Sequence, residues 1–308
     1  MLIICYHSIN ADNYSSFRPT NVKDFEKQIQ YLSKVYHPTS LEKIVRYIQD
    51  GTLPDLPSGS IAITFDDGYR DNYENAYPIL KKYGIPATIF LTTGYIGTGE
   101  IPWWIQVYRI LRQAKKPTLM PTRLGDRKTN APLDQKSIQA FIHTLKQFDE
   151  KERNRAIADF AADLDVDNDT EKNVMLSWEE VREMSENGIS FGSHTLTHPL
   201  LTRLPSKQAQ KEIHLSKEII EQQVRKPVIT FAYPSGNFDA HIERMVKDAG
   251  YSAAVSTIPG YNRSKTNIYA LKRNTIFLSN RLKFFPVFMA EVTGVLAYLR
   301  KSYQRMFL

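Results

Sequence analysis

Short β-leaning apolar runs recur through the chain, and two of them end abruptly on groups that carry chemistry. Ile61-Ala62-Ile63-Thr64-Phe65 passes straight into Asp66-Asp67-Gly68-Tyr69, and Ile189-Ser190-Phe191-Gly192-Ser193 into His194-Thr195-Leu196-Thr197-His198-Pro199. Both read as strands whose ends hold functional side chains. Leu2–Cys5, Ala87–Leu91, Val228–Ala232 and Ala253–Ser256 are further strand candidates. Helical spacing fills the gaps: Phe25, Ile29 and Leu32 share a face within Val22 to Val35, and a second helix is expected from about Asn72 to Tyr83, stopping at Gly84. Ser177 and Glu180 form a capping-box pattern ahead of Val181 and Met184, with Asn187-Gly188 as the stop. Ser206 is expected to cap a helix to about Val224, and another runs from about Asp239 to Ala249. This alternation predicts an α/β fold of βα units around a parallel sheet, and functional residues at strand ends favour a (β/α) barrel.

The 308 residues, 42% hydrophobic and 24% charged, fit one barrel domain over 1–308. The section from about Thr98 to Asn173 interrupts the rhythm with Trp103-Trp104, a Pro- and Lys-bearing stretch around Lys115 to Pro132 and a charged helical run from Gln135 to Leu164. It is expected to be an insertion on the barrel. Forty basic against 33 acidic residues give a net charge of +7, which suits a basic soluble enzyme or, alternatively, an acidic partner or anionic lipid surface. No basic–aromatic patch of the nucleic-acid-binding kind occurs, so no nucleic acid partner is expected. Cys5 is the only cysteine, which rules out an intrachain disulfide.

The opening Met1 to His7 lacks the marks of a secretory signal, and no stretch reaches the ~20 apolar residues of a membrane span, so the expected location is cytoplasmic. The tail 281–308 is amphipathic: Phe284 to Leu299 lies between Arg281 and Lys283 on one side and Arg300, Lys301 and Arg305 on the other. Two readings stand for it, a peripheral helix resting on the inner membrane face and a helix docked on the core.

His194 and His198 are four positions apart, the spacing of one helical turn, so both rings can face one point. Two imidazoles with one carboxylate form a ligand set for Zn²⁺ and similar ions, with positions left for water and substrate. Of the adjacent Asp66 and Asp67, one would ligate and the other would contact the metal-bound water as a base; spacing alone does not say which.

Thr64-Phe65-Asp66-Asp67-Gly68-Tyr69 resembles the first motif of the polysaccharide deacetylase family, the carbohydrate esterases with a NodB homology domain. Ser193-His194-Thr195-Leu196-Thr197-His198-Pro199 resembles its second motif, and Phe231-Ala232-Tyr233-Pro234-Ser235-Gly236 its third. The similarity runs from about 61 to 275 and extends to the opening Tyr6-His7. It implies a distorted (β/α) barrel that removes N-acetyl groups from an N-acetylhexosamine-containing glycan, lipid-linked sugar or oligosaccharide and releases acetate. It implies Asp66 as general base and Asp67, His194 and His198 as ligands of a divalent metal, Zn²⁺ first, with Co²⁺, Ni²⁺, Fe²⁺ or Mn²⁺ as alternatives. The backbone N–H of Ser235, after Pro234, is then the expected oxyanion donor, and Tyr233 is expected to line the cleft. An acetyl-ester hydrolase of the acetylxylan type and a non-catalytic carbohydrate-binding relative are the competing readings.

The chain departs from the family pattern in two places. Many members carry an Arg in the third motif that orients the base, where this chain has Ala232, and many end on a Leu-x-His motif that supplies the general acid. After His198 only His214 and His241 remain, both on expected helices, and Tyr269-Ala270-Leu271-Lys272-Arg273 has no His. His7 ends the first strand as Asp66 and His194 end theirs, and the poly-N-acetylglucosamine deacetylase branch is similar in placing a Tyr-His near the N-terminus. His7 is therefore the expected acid, a structural histidine being the alternative. Arg273 is expected to orient Asp66, against a solvated surface Arg; Arg70 and Asp71 also stand beside the first motif. Trp103 and Trp104 either stack on a sugar ring or anchor the insertion to the barrel.

Overall fold

Strand β1 (Leu2–Tyr6) lies parallel to β3 (Ser60–Phe65) with Leu2 beside Ile61 and Tyr6 beside Phe65, and every side chain of both is buried. The sheet continues in parallel through β4 (Ala87–Leu91), β7 (Ile189–Ser193), β8 (Thr230–Ala232) and β9 (Ala253–Val255). The short β2 (His37–Pro38) pairs with β3. At the other edge β10 (Asn274–Thr275) pairs with β1, while Leu271, three residues earlier, bridges to Val255 of β9. The segment 271–275 thus ties the two edges together, and the sheet is a distorted (β/α) barrel. This computed structural model describes residues 1–10, 19–50, 56–113, 119–120, 127–128, 135–164, 173–276 and 285–292.

Strand side chains alternate between two environments, as a period of two requires. Leu2, Ile4, Ile61, Ile63, Ile89 and Leu91 join the large core that also holds Phe25, Ile29 and Leu32 of α1 (Val22–Val35) and Leu80 of α3 (Tyr77–Tyr83). Ile3, Ala62, Phe90, Ala232, Ala253 and Val255 form an inner cluster with Leu41, Ile44, Val45 and Ile48 of α2 (Leu41–Asp50). The inner row of β1 continues past Ile3 and Cys5 to His7, and that of β3 past Ala62 and Thr64 to Asp66. The chemical groups therefore sit where inward-facing rows run out at the C-terminal strand ends.

Gln135 to Leu164 forms two helices, α5 (Gln135–Leu145) and α6 (Glu150–Leu164), after α4 (Trp103–Gln113) and a two-stranded ribbon of β5 (Leu119–Met120) and β6 (Arg127–Lys128). Most of the stretch from Lys115 to Pro132 lies outside the described residues. Helix α7 (Trp178–Glu186) has the expected capping box, Ser177 accepting from the Glu180 amide and Glu180 from the Ser177 amide. Helix α8 (Ser206–Val224) starts at Ser206, but Ser206 does not cap it; Pro205 holds the cap position, and the Ser206 hydroxyl bonds to His241 at the start of α9 (Ala240–Asp248) instead. The helix expected from Asn72 begins as a π turn over Asn72–Ala76.

Of the tail, 281–284 and 293–308 lie outside the described residues. Within it α10 (Phe285–Val292) buries Phe285 and Met289, and the Phe285 ring meets Tyr31 of α1 edge-on at 5.8 Å. Among the described residues no helix is long and apolar enough to cross a membrane.

Phe25 joins Tyr6 and Phe65 in an aromatic trio, with ring centroids 5.1 and 5.9 Å away, and is fully buried. Its removal leaves a cavity between α1 and the sheet, on the face opposite the inward row that carries His7 and Asp66. Phe25→Ala should lower the unfolding free energy by about 3–5 kcal/mol, read as a shifted urea midpoint.

Candidate active site

Adjacent residues on a strand point to opposite faces, so Asp66 and Asp67 could not both reach inward without a break in the backbone. Asp66 prolongs the ladder, its amide donating to the Tyr6 carbonyl at 3.0 Å. Asp67 then takes the left-handed conformation (φ 76°), and the two carboxylates part. Arg273, fully buried, donates from both terminal nitrogens to the two oxygens of Asp66 at 2.6 and 2.7 Å, and its Nε–H to the Ser256 carbonyl. A solvated surface position for Arg273 is thereby excluded. Asp67 Oδ1 faces Nε2 of His194 at 3.7 Å and Nε2 of His198 at 3.8 Å.

The two histidines do not lie on a helix. Residues 194–200 form a loop, left-handed at Thr195 (φ 70°) and His198 (φ 58°), and this folding of the loop turns both rings onto Asp67. Glu212 of α8 holds it from outside, accepting from the amides of Leu196 and Thr197 and from the Thr197 hydroxyl. From inside, the Thr93 and Gly94 amides donate to the carbonyls of Thr195 and Leu196. A Cβ on Gly94 would fall 2.7 Å from the Leu196 oxygen, so only glycine lets the loop approach this closely. Nδ1 of His194 lies 2.7 Å from the Ala232 carbonyl and donates to it, which leaves Nε2 with its lone pair toward Asp67.

Burial opposes charge on every group here, and neighbours decide the outcome. For Asp66 burial pushes the pKa up, but the charge and hydrogen bonds of Arg273, with the charges of His194 and His7, together outweigh it and hold the carboxyl well below the usual carboxylate range. Burial and then the adjacent Asp66 charge push Asp67 up to about 7. Burial drives His198 well below its ordinary value, also lowers His194, and takes His7 down to about 4. The imidazoles are thus neutral at pH 7, the state a metal requires.

Asp67, His194 and His198 offer one ligand atom each within 4.8 Å of one another, all buried. Ligands at about 2.0–2.1 Å in a tetrahedron stand roughly 3.4 Å apart, close to the distances found here. Two buried atoms of the set, Asp67 Oδ2 and His198 Nδ1, have no hydrogen-bond partner. A buried carboxylate that favours its proton and faces two neutral imidazoles fits a divalent cation.

The other expected residues fall out as follows. His7 lies with Asp66 and Cys5 in a second group whose polar atoms are within 4.8 Å of one another. Its carbonyl is held by Asn72, while Asp71 accepts from Ser8, the Ile9 amide and Asn10, fixing the turn after β1. Trp103 and Trp104 do not form a sugar platform, because both are buried. Trp104 packs on the His198 ring at 5.0 Å and donates to the Tyr69 hydroxyl at 2.8 Å, and Tyr69 in turn lowers Asp67 through a hydrogen bond. Trp103 lies under Arg153, whose guanidinium carbon is 4.7 Å from the ring. Nor does Tyr233 line the cleft: it is fully buried, stacked on Phe238, and its hydroxyl donates to the Tyr269 carbonyl. Pro234 and Ser235 form a tight turn after β8, with Ser235 left-handed (φ 57°). Sequence reasoning missed Lys146, whose ammonium donates to Ser235 Oγ at 2.7 Å. Nothing in its local sequence marks it.

The profile of the polysaccharide deacetylase family matches residues 54–118 and 125–254. This chain belongs to the polysaccharide deacetylase family. A putative polysaccharide deacetylase of Bacillus subtilis, YxkH, is 28% identical over 272 residues, 88% of this chain and 69% of that protein. Poly-β-1,6-N-acetyl-D-glucosamine N-deacetylases of Staphylococcus aureus strains are 40% identical over 85 residues, which span 28% of this chain and only 27% of those proteins. Among solved structures, Streptococcus pyogenes deacetylase PplD in complex with acetate superposes with a TM-score of 0.65 at 21% identity, covering 94% of this chain and 97% of that one. IcaB from Ammonifex degensii gives 0.60 at 17% identity, covering 91% and 92%. These likenesses establish the barrel of the polysaccharide deacetylases as the fold of this chain, and family membership makes it a deacetylase.

Two outcomes test the electrostatics. Asp66 has a folded-state pKa below its unfolded value, so its contribution is complete above about pH 4 and fades as pH falls further. Arg273→Met leaves a buried carboxylate unpaired and should cost about 3–5 kcal/mol at pH 7 in urea unfolding, the deficit narrowing in acid. Asp67 must shed a proton held to about pH 7 before it can ligate. Zn²⁺ affinity, by competition with a chelating dye, should therefore fall roughly tenfold from pH 8 to pH 6, and Asp67→Asn should weaken binding and flatten that slope.

Proposed function

We propose that this deacetylase hydrolyses the acetamide of an N-acetylhexosamine unit in a glycan, with Asp67, His194 and His198 holding a divalent ion, Zn²⁺ first, and Asp66 as general base. The observation that carries the reading is the division of labour between neighbouring carboxylates: one is locked ionised on Arg273, the other faces two neutral imidazoles. The identity to poly-β-1,6-N-acetyl-D-glucosamine N-deacetylases over 85 residues supports the amino-sugar class.

A divalent ion at the triad would supply Lewis-acid polarisation of the acetyl carbonyl and a more acidic water. Asp66 accepts the proton of the attacking water, and Arg273 fixes both of its oxygens for that task. The Ser235 amide donates to the oxygen that gains charge as the carbonyl carbon becomes tetrahedral. His7 is neutral at rest, so it carries no proton of its own to spare. It delivers to the leaving nitrogen the proton that Asp66 took from water; the C–N bond breaks to the amine and acetic acid, whose proton passes to the amine to leave acetate and the ammonium form of the sugar.

Acetate release from N-acetylglucosamine oligomers should require added metal and stop with a chelator. His7→Ala should cut this release by roughly 10²–10⁴-fold while sparing an activated acetate ester, whose leaving group needs no proton. Metal-loaded protein that is silent on N-acetylated glycans yet releases acetate from acetylated xylan would overturn the amide reading.

A further inference from the structure

The segment between β4 and α7 brings a charged side chain to the strand ends. Lys146 follows α5 and continues its last turn, its amide donating to the Ile142 carbonyl at 3.1 Å, and the neighbouring Leu145 is fully buried. The backbone of Lys146 is thus pinned while its side chain is half-buried at the strand ends. Its ammonium donates to Ser235 Oγ at 2.7 Å.

The turn that receives this bond is stiff. Pro234 precedes Ser235, and Gly236 is left-handed (φ 66°); a Cβ there would fall 2.0 Å from Thr257 Oγ1 and 2.8 Å from the Thr257 amide. Lys146 is also near enough for its charge to bear on Asp67, His194, His198 and His7. Burial lowers its own pKa to about 8, opposed by the attraction of Asp67, so it is still mostly protonated at neutral pH.

A cation beside a cation site works against metal binding, because like charges repel through a partly desolvated medium. Asp66 offers no relief, since Arg273 already neutralises it. What an ammonium in this position suits is an anion that arises during the reaction. Hydrolysis of an acetamide produces two such species at one place, the tetrahedral oxyanion and then the acetate carboxylate.

We propose that Lys146, supplied from outside the three family motifs, is an anion-stabilising residue of the active site that sets the Ser235 turn and stabilises the negative charge on the acetyl oxygen and on the acetate product. The inference rests on the metal-centred deacetylation proposed above. In the sequence of events, the N–H of Ser235 and the ammonium of Lys146, joined through the Ser235 hydroxyl, approach the acetyl oxygen from the same side, so loss of either weakens the same step.

Three Zn²⁺-loaded proteins decide it: the native chain, Lys146→Met and Lys146→Arg. Acetate binding is measured directly by NMR line broadening, alongside Zn²⁺ affinity and the kcat and KM for an N-acetylglucosamine oligomer. For Lys146→Met the expected result is an acetate Kd raised about tenfold and a kcat lowered roughly ten- to hundredfold with KM little changed. Zn²⁺ affinity should stay equal or tighten once the like charge is gone, and Lys146→Arg should keep part of both acetate binding and kcat. Native acetate affinity and kcat in Lys146→Met would overturn the inference, as would weakened Zn²⁺ binding in both variants, which marks a purely structural role. Should the native chain release no acetate from the oligomer, the proposed function fails. The acetate Kd of Lys146→Met against native still judges Lys146 by itself.

Discussion

The bidentate pair between Asp66 and Arg273 is the constraint around which the strand ends are arranged. Both groups are inside the barrel, where an unpaired charge is expensive, and their parallel hydrogen bonds fix distance and orientation together. Arg273 also sets Asp66 apart from its neighbour. One carboxylate next to a guanidinium stays ionised, and its charge then raises the cost of ionising Asp67, which burial already disfavours and which has no guanidinium of its own. Two chemically identical side chains on consecutive residues acquire opposite protonation preferences, which is what the proposed roles of base and cation ligand require of a single dipeptide.

Backbone strain is concentrated in the same place. Among the described residues six non-glycine positions have positive φ, and four of them, Asp67, Thr195, His198 and Ser235, stand at the ends of β3, β7 and β8. Left-handed geometry costs a side-chain-bearing residue of order 1 kcal/mol or more, and persists only where surrounding bonds over-determine it. Those bonds are visible: Glu212 and the Thr93-Gly94 amides clamp the histidine loop, and Lys146 and Thr257 bracket Ser235. The Trp104–Tyr69 bond adds a rigid backing to both His198 and Asp67.

Much of this was legible in the sequence where local pattern and chemistry coincide. The apolar runs at Ile61–Phe65 and Ile189–Ser193 and their polar ends gave strand, face and candidate ligands together, and period two carried His7 to the same inner face. Where long-range contacts decide, local pattern misled. The four-residue spacing of His194 and His198 suggested a helical turn, but the rings meet because Glu212, fourteen residues on from His198, holds a loop. The tryptophans could be read as a sugar platform or as an anchor for the insertion, because aromatic side chains serve both surfaces and cores, and only the packing of α4 against the histidine loop distinguishes the two. Lys146 had no signal at all, since its position depends on how the end of α5 meets the turn after β8, a relation between segments about ninety residues apart.

The absent motif arginine shows how the barrel tolerates rewiring. In the family pattern the arginine that orients the base stands at the place of Ala232, on β8. Here the Ala232 side chain lies in the inner cluster with Phe90 and Leu271, and its carbonyl is used to orient His194. A methyl group at that position leaves the interior open to a guanidinium from the opposite direction. Arg273 comes from the closing segment between β9 and β10, with its guanidinium carbon 5.5 Å from the Phe90 ring, and reaches Asp66 across 207 residues of chain. Because the sheet curls until Leu271 meets Val255 and Asn274 meets Ile4, both edges border the same barrel interior. A charge can therefore be supplied from either side of the seam, and what the proposed base requires is the two hydrogen bonds on Asp66, whichever strand end provides them.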